Sequence, residues 1–438
     1  MKNLQRTKAA LAVLLMLLLT AGCQREQPQT GSLINTAHLD HLSRNIEVKG
    51  LTMRIVYIYA EAPDYELTDA EGEGIACVDD VARAAVFYLR HYRQSQNSTS
   101  LEKARKMLNF LQYMQAPNGL FYNFIFADYS INKTRENSRP VANWWTWRAF
   151  WALAEAVPIF QEPDPGYARN LQASLSQVYL AMDSILQKYP QMRQNKGLQQ
   201  PDWLPFGSAA DQAAAMLLGM LAVNKDNPDS LLQSRMRKIG EGIARMQAGD
   251  SASFPFGAML SWQNLWHAWG NSQSDALLKT GGALAAPHFI RSGLREVQSF
   301  FPFLLEKEYL SEFTVGVRSD RLQPDKLRRF PQIAYGIRPM VWACLSAFEA
   351  TGNQSYADRA AEIAGWLFGR NPSGALMYSP ETGRCYDGIV SANEINRNSG
   401  AESTIEALLT LLEIEKYPQI SRQVKAYFRE ARHKEQNE

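Results

Sequence analysis

Six helix-like segments recur along the chain at intervals of about 60 to 67 residues, and this repeat limits the possible folds more than any other feature. Each opens on a polar or aromatic cluster and continues into an apolar, small-residue run. The openings are Cys77-Val78-Asp79-Asp80, Asn143-Trp144-Trp145-Thr146-Trp147, Gly207-Ser208-Ala209-Ala210-Asp211, Trp266-His267-Ala268-Trp269, Gln332-Ile333-Ala334-Tyr335 and Asn398-Ser399-Gly400-Ala401-Glu402. Between successive openings lies a second, more charged helical segment. The pattern predicts six helical hairpins in a closed ring, which gathers all six openings at one end.

The first helix of each hairpin is apolar nearly all round, as in Ala82-Arg83-Ala84-Ala85-Val86-Phe87-Tyr88-Leu89 and Ala213-Ala214-Ala215-Met216-Leu217-Leu218. Such a helix is surrounded by protein, so these are the inner helices. The intervening segments carry one apolar stripe. Leu101, Ala104, Met107, Leu108, Leu111 and Met114 form the first, and Tyr167–Tyr189, Leu231–Met246, His288–Leu305, Ser355–Phe368 and Ile420–Arg432 supply the others. Six inner and six outer helices define an all-α fold, an (α/α)6 toroid. An open solenoid is the alternative, but no polar capping repeat is evident. Short extended pieces decorate one end: a strand over Leu51–Ala60, and a turn at Asn118-Gly119 followed by the aromatic run Leu120–Phe124. Residues 250–264 and 311–330 are expected as longer loops.

Residues 1–22 form an export leader, with Lys2, Arg6 and Lys8 before the apolar stretch Ala9–Leu19. Thr20-Ala21-Gly22-Cys23 resembles a bacterial lipoprotein processing site, which implies cleavage before Cys23, lipidation of its thiol, and anchorage on an extracytoplasmic face of a membrane. Residues 23–40 read as the lipidated end and a flexible tether, and 41–438 as a single toroid. Loss of the leader brings 46 Lys+Arg and 44 Asp+Glu close to balance, and no basic stripe argues for nucleic acid. Cys344, in the run Val341–Leu345, reads as a core thiol. In a closed ring Cys77 and Cys385 fall near the same seam, so a Cys77–Cys385 disulfide is a candidate whose geometry the sequence leaves open.

Helix N-termini present unpaired N–H groups and partial positive charge, which suits a polar, hydroxyl-rich ligand. Trp144, Trp145, Trp147, Tyr122, Trp262, Trp266 and Trp269 supply flat faces for sugar rings, with core packing as the alternative for each. Carboxylates stand at several openings: Asp79 and Asp80 at the first inner helix, Asp211 at the third, and Asp387, Glu394 and Glu402 around the sixth. Glycoside hydrolysis commonly uses two carboxyl groups flanking the scissile bond. Bland roles compete. Asp79 or Asp80 can cap their helix or pair with Arg83, Ser399 and Glu402 fit a capping box, and Asp387 can make a turn.

The ring of hairpins, the acidic first helix and the run Trp366-Leu367-Phe368-Gly369-Arg370-Asn371-Pro372-Ser373-Gly374 resemble the six-hairpin glycosidase superfamily. That run is similar to a segment of the family-nine cellulases, where an Asn-Glu pair bearing the catalytic acid follows, then a final helix opened by Asn and small residues. Here Asn393-Glu394 precedes Asn398-Ser399-Gly400, and the resemblance implies Glu394 as general acid. The family's two Asp separated by Ala-Gly are replaced by adjacent Asp79-Asp80, and its His-containing segment is not evident. Cellulase specificity therefore does not carry over. Asn398–Thr404 also resembles a motif of uncharacterised toroid proteins associated with carbohydrate metabolism, which keeps Glu402 in contention.

The expected function is hydrolysis of an oligo- or polysaccharide, with Asp79 or Asp80 as base, Glu394 or Glu402 as acid, and inversion by analogy with family nine. A lyase or epimerase acting on uronic-acid sugars is the second expectation, drawing on Tyr335, His267, Arg338 and Arg397. A non-catalytic glycan-binding lipoprotein is the third. No metal-ligand spacing, nucleotide-phosphate loop or dinucleotide fingerprint is present, so no cofactor is expected.

Overall fold

The computed structural model describes residues 31–319 and 321–437. The export leader, Cys23 and the first part of the tether lie outside the described residues. Six long inner helices span Val78–Ser95, Trp144–Phe160, Ala210–Asp226, Gln273–Ala283, Ala334–Thr351 and Ala401–Ile414. Their outer partners span Ser98–Tyr113, Pro165–Leu186, Ser230–Arg245, Pro287–Glu306, Gln354–Ala364 and Pro418–Asn437, the fourth running through a π turn at Glu296–Phe300. Each inner helix packs on the next, and the sixth packs on the first. This closure selects the toroid over the open solenoid.

Local chemistry sets these elements. Val78 to Leu89 is buried at every position except Asp79, as an inner helix requires. The next helix buries Ala104, Met107, Leu108 and Leu111, a one-sided spacing, and Asn97 caps it by accepting from the Thr99 and Ser100 N–H groups.

Several expectations need correction. The segment Trp266–Trp269 does not open an inner helix. Leu265–His267 is a strand paired with Glu312–Arg318, and the fourth inner helix starts at Gln273. Residues 311–330 are not a loop but mostly an antiparallel hairpin, Glu312–Arg318 against Arg321–Arg328. The strand at Leu51 stops at Val56, and a separate pair, Tyr59–Glu61 with Glu66–Thr68, follows. The segment assigned to a tether up to residue 40 contains the start of a helix, Ala37–Leu42, which buries His38, Leu39 and Leu42. Cys77 and Cys385 are both free and buried, not bridged. The Cys77 thiol turns instead to Asp80 Oδ2 at 3.1 Å.

The seam between the first and sixth inner helices is held by charge. Arg83 Nη1 lies 3.0 Å from Glu406 Oε1, and Arg338 Nε of the fifth inner helix bonds Glu406 Oε2. Two turns further along both helices the pairing recurs, with Arg90 Nη1 3.8 Å from Glu413 Oε2. Arg90 also binds Glu155 Oε1 of the second inner helix at 2.6 Å. Arg83, Arg338 and Glu406 are at most 2% exposed. A buried ion pair contributes little over apolar packing, but removing one partner strands the rest.

Two stability predictions follow from this interior. Glu406→Gln leaves Arg83 and Arg338 sharing one neutral side chain. It should cost on the order of 3–5 kcal/mol in urea unfolding, against almost nothing for the exposed Glu394→Gln. The second concerns Glu296, fully buried, bound to the Met259 N–H at 2.7 Å and to the Ser274 hydroxyl. Burial pushes its pKa from 4.5 up to about 7. Between those values the folded chain holds a proton that the unfolded chain has lost. The protonated side chain's stabilisation is full below about 4.5 and is lost as pH rises through 7, a term on the order of 3 kcal/mol. Glu296→Gln should flatten this part of the pH dependence of the urea midpoint; an unchanged slope would refute the assignment.

Candidate active site at the ring closure

The N-terminal turns of the first, fifth and sixth inner helices surround a cavity of about 330 Å³. Asp79, Asp80 and Arg83 line it from the first helix, Tyr335 from the fifth, and Glu402 and Ser403 from the sixth. The strand residue Tyr59, the loop residues Glu73, Asn123 and Asp387, and the thiol of Cys77 complete the wall. Gly400 matters for this closure. A Cβ there would lie 2.6 Å from the Ile58 carbonyl oxygen, so only glycine lets the sixth helix start against the segment at Ile58–Tyr59.

The carboxylates have separate roles. Asp80 is 4% exposed and fully engaged: Oδ1 accepts from Arg83 Nη2 at 2.6 Å, and Oδ2 accepts from the Cys77 thiol. Asp79, the next residue, points elsewhere. Its Oδ2 meets Arg148 Nη1 at 2.6 Å, while its Oδ1 is buried and has no donor among the described residues. Asp79 lines the cavity, and an orphaned buried carboxylate oxygen calls for a donor such as water.

Glu402 Oε2 lies 3.1 Å from Arg83 Nη1, and 44% of its side chain still meets solvent. Confinement by surrounding protein raises its pKa, against the opposing pull of Arg83. Its predicted capping role is not realised, because Gly400 precedes the helix and Glu402 turns into the cavity. Asp387 performs the capping instead: its Oδ1 accepts from the Gly400 N–H at 2.8 Å and from the Ser403 hydroxyl at 2.6 Å. Burial nonetheless raises the Asp387 pKa, the two donors opposing it and Asp80 adding to it.

Tyr335 sits in a nest of guanidinium groups. Arg148 Nη2 donates to its hydroxyl at 2.5 Å, and Arg83, Arg148 and Arg338 lie 4.8, 5.1 and 5.5 Å from its ring centre. Burial raises its pKa despite Arg148 and Arg83. Arg338 is 2% exposed and committed to Glu406, so it is a structural cation rather than one open to ligand.

The remaining candidates divide. Glu394 is exposed on the short hairpin Gly388–Ser391/Glu394–Asn396 and does not line the cavity. Arg397 is also exposed, over the Tyr386 ring at 5.5 Å, and Asn398 accepts from the Ala62 N–H at 3.0 Å. Trp145, Trp147 and Trp266 are core residues, 5%, 0% and 2% exposed. Trp145 donates to the Phe121 carbonyl, and Trp266 stacks on Phe313. Tyr122 is half-buried beside Lys133. Asp211 pairs with His267 at 3.0 Å in the interior. Trp144, Trp262 and Trp269 keep exposed surface. Sequence reasoning missed Arg148, Ser403 and Glu406. For Arg148 and Glu406 the available signal was a lone charge inside an apolar run, which only a buried partner makes tolerable; Ser403 carried no such signal.

No known protein-family model matches the chain, and no curated protein does. Solved structures do match. A cellobiose 2-epimerase from Bacillus thermoamylovorans aligns at TM-score 0.58 and 10% identity, covering 82% of this chain and 92% of that one. A D-mannose isomerase aligns at 0.57 and 11%, covering 85% and 93%. A family 76 glycoside hydrolase from a bovine Bacteroides thetaiotaomicron strain aligns at 0.54 and 11%, covering 88% and 78%. At such identities the likeness concerns the backbone, and it establishes that this chain folds as an (α/α)6 toroid.

Proposed function

We propose that the protein is a carbohydrate-active enzyme, and specifically a glycoside hydrolase working with inversion at the ring-closure cavity. The observation that carries this reading is the contrast between two carboxyls on one cavity. Asp79 is held by Arg148 with one oxygen unpartnered, while the half-exposed Glu402 has its pKa raised. Hydrolysis needs such a division of labour, one carboxylate held ready as base and one carboxyl with a raised pKa as acid. Glu402 protonates the departing glycosidic oxygen. The Asp79 carboxylate takes a proton from water as the water attacks the anomeric carbon. Asp80 positions Arg83, and Arg83 orients Glu402. The epimerase, the isomerase and the glycoside hydrolase that share the fold are consistent with a sugar substrate.

Proton abstraction, as a lyase or epimerase needs, fits the cavity less well. No histidine lines it among the described residues, and Tyr335 is kept protonated by burial. The Thr20–Cys23 sequence supports a place on a membrane through lipidated Cys23, facing an extracytoplasmic compartment.

Asp79→Asn and Glu402→Gln should each lower glycan hydrolysis by about 10²–10⁴-fold, while Glu394→Gln retains it, measured by reducing-end release from a glycan panel. Activity should fall on the alkaline side as Glu402 loses its proton, and that fall should occur above the ordinary glutamate range because the pKa is raised. In Glu402→Gln the residual rate should lose this limb; if the limb persists, another group is the acid.

A further inference from the structure

Trp269 is open where Trp266, three residues earlier, is covered: 39% exposed against 2%. Its ring lies face to face with His267, centroids 3.6 Å apart and planes within 6°. His267 is pinned at both ring nitrogens, Nε2 3.0 Å from Asp211 Oδ2 and Nδ1 2.7 Å from the Trp269 carbonyl oxygen. Asp211 Oδ1 in turn accepts from the Gln212 N–H at 2.6 Å. The indole is therefore a flat plate backed on one face by a buried pair.

This plate borders a second cavity, of about 180 Å³, walled also by Phe330, Pro331 and Met340. Glu312 and Arg328, 3.1 Å apart, stand at it. Ile333 lines both this cavity and the carboxylate cavity. Gly270 makes the connection tight. Its φ is +70°, and a Cβ there would lie 2.9 Å from the Tyr335 hydroxyl oxygen and 3.0 Å from the Trp144 ring. The loop carrying the plate thus rests directly on the tyrosine that walls the carboxylate cavity, an approach that only glycine permits.

We propose that the second cavity is a sugar subsite contiguous with the carboxylate cavity. In it Trp269 stacks on the apolar face of a pyranose ring, so the substrate is an oligo- or polysaccharide occupying both cavities. The inference rests on reading the first cavity as a sugar site. A pyranose offers C–H groups on one face and hydroxyls around its edge. The indole meets the former, and the Glu312–Arg328 pair offers an acceptor and a donor to the latter.

The test is calorimetric titration of the Asp79→Asn protein with two series, cello- and manno-oligosaccharides, each from monosaccharide to hexasaccharide. Hydrolysis by the wild type is measured separately. Affinity should rise with length in one series, and adding Trp269→Ala should weaken the longer ligands about tenfold while sparing the monosaccharide. Trp269→Phe should restore most of the loss, which a damaged fold would not. Affinity independent of length in both series, absence of binding in both, or an equal loss at every length would overturn the subsite. Hydrolysis without any effect of Trp269→Ala removes the subsite and leaves the hydrolase reading intact. Length-dependent, Trp269-dependent binding without turnover supports the subsite and removes the hydrolase.

Discussion

The guanidinium of Arg83 is the contact on which the site depends. It reaches Asp80 on its own helix and Glu402 and Glu406 on the sixth, so one side chain joins the two ends of the ring. Burying it uncompensated would be prohibitive, and three carboxylates compensate it. The same contact that closes the toroid therefore brings acidic side chains from distant parts of the chain to one place. Ring closure and the cavity wall therefore share one side chain.

Surroundings then divide the carboxylates. Asp80 has both oxygens occupied, one by Arg83 and one by the Cys77 thiol, and can only position. Glu406 lies beneath, shared between Arg83 and Arg338, and has no solvent exposure. Asp387 holds the start of the sixth helix through Gly400 and Ser403. Asp79 and Glu402 line the cavity with different cations behind them, Arg148 and Arg83. Neighbouring acids in sequence, Asp79 and Asp80, thus meet different partners because a helix points them about 100° apart.

The periodicity of the sequence made the six hairpins legible, because an all-round apolar helix alternating with a striped one has few other solutions. It misplaced the fourth inner helix. The aromatic cluster Trp266–Trp269 looks like the other openings, but its residues serve a strand whose pairing partner lies some 45 residues later. The first and sixth openings were correctly joined, yet Cys77 and Cys385 were candidates for a bridge that the hydrogen bond from Cys77 to Asp80 replaces. Glu394 drew attention through a resemblance of local order, whereas its hairpin carries it out to solvent. Arg148 and Glu406 stayed hidden because their meaning depends on partners across the ring, which no spacing within one helix reveals.

The most direct test of the central claim is to run the reaction in ¹⁸O-labelled water and analyse the products by mass spectrometry. If water activated at Asp79 is the nucleophile, cleavage places one labelled oxygen on the new reducing-end anomeric carbon. A product that has lost the elements of water across a new double bond, or an isomerised sugar of unchanged mass formed without cleavage, would contradict it.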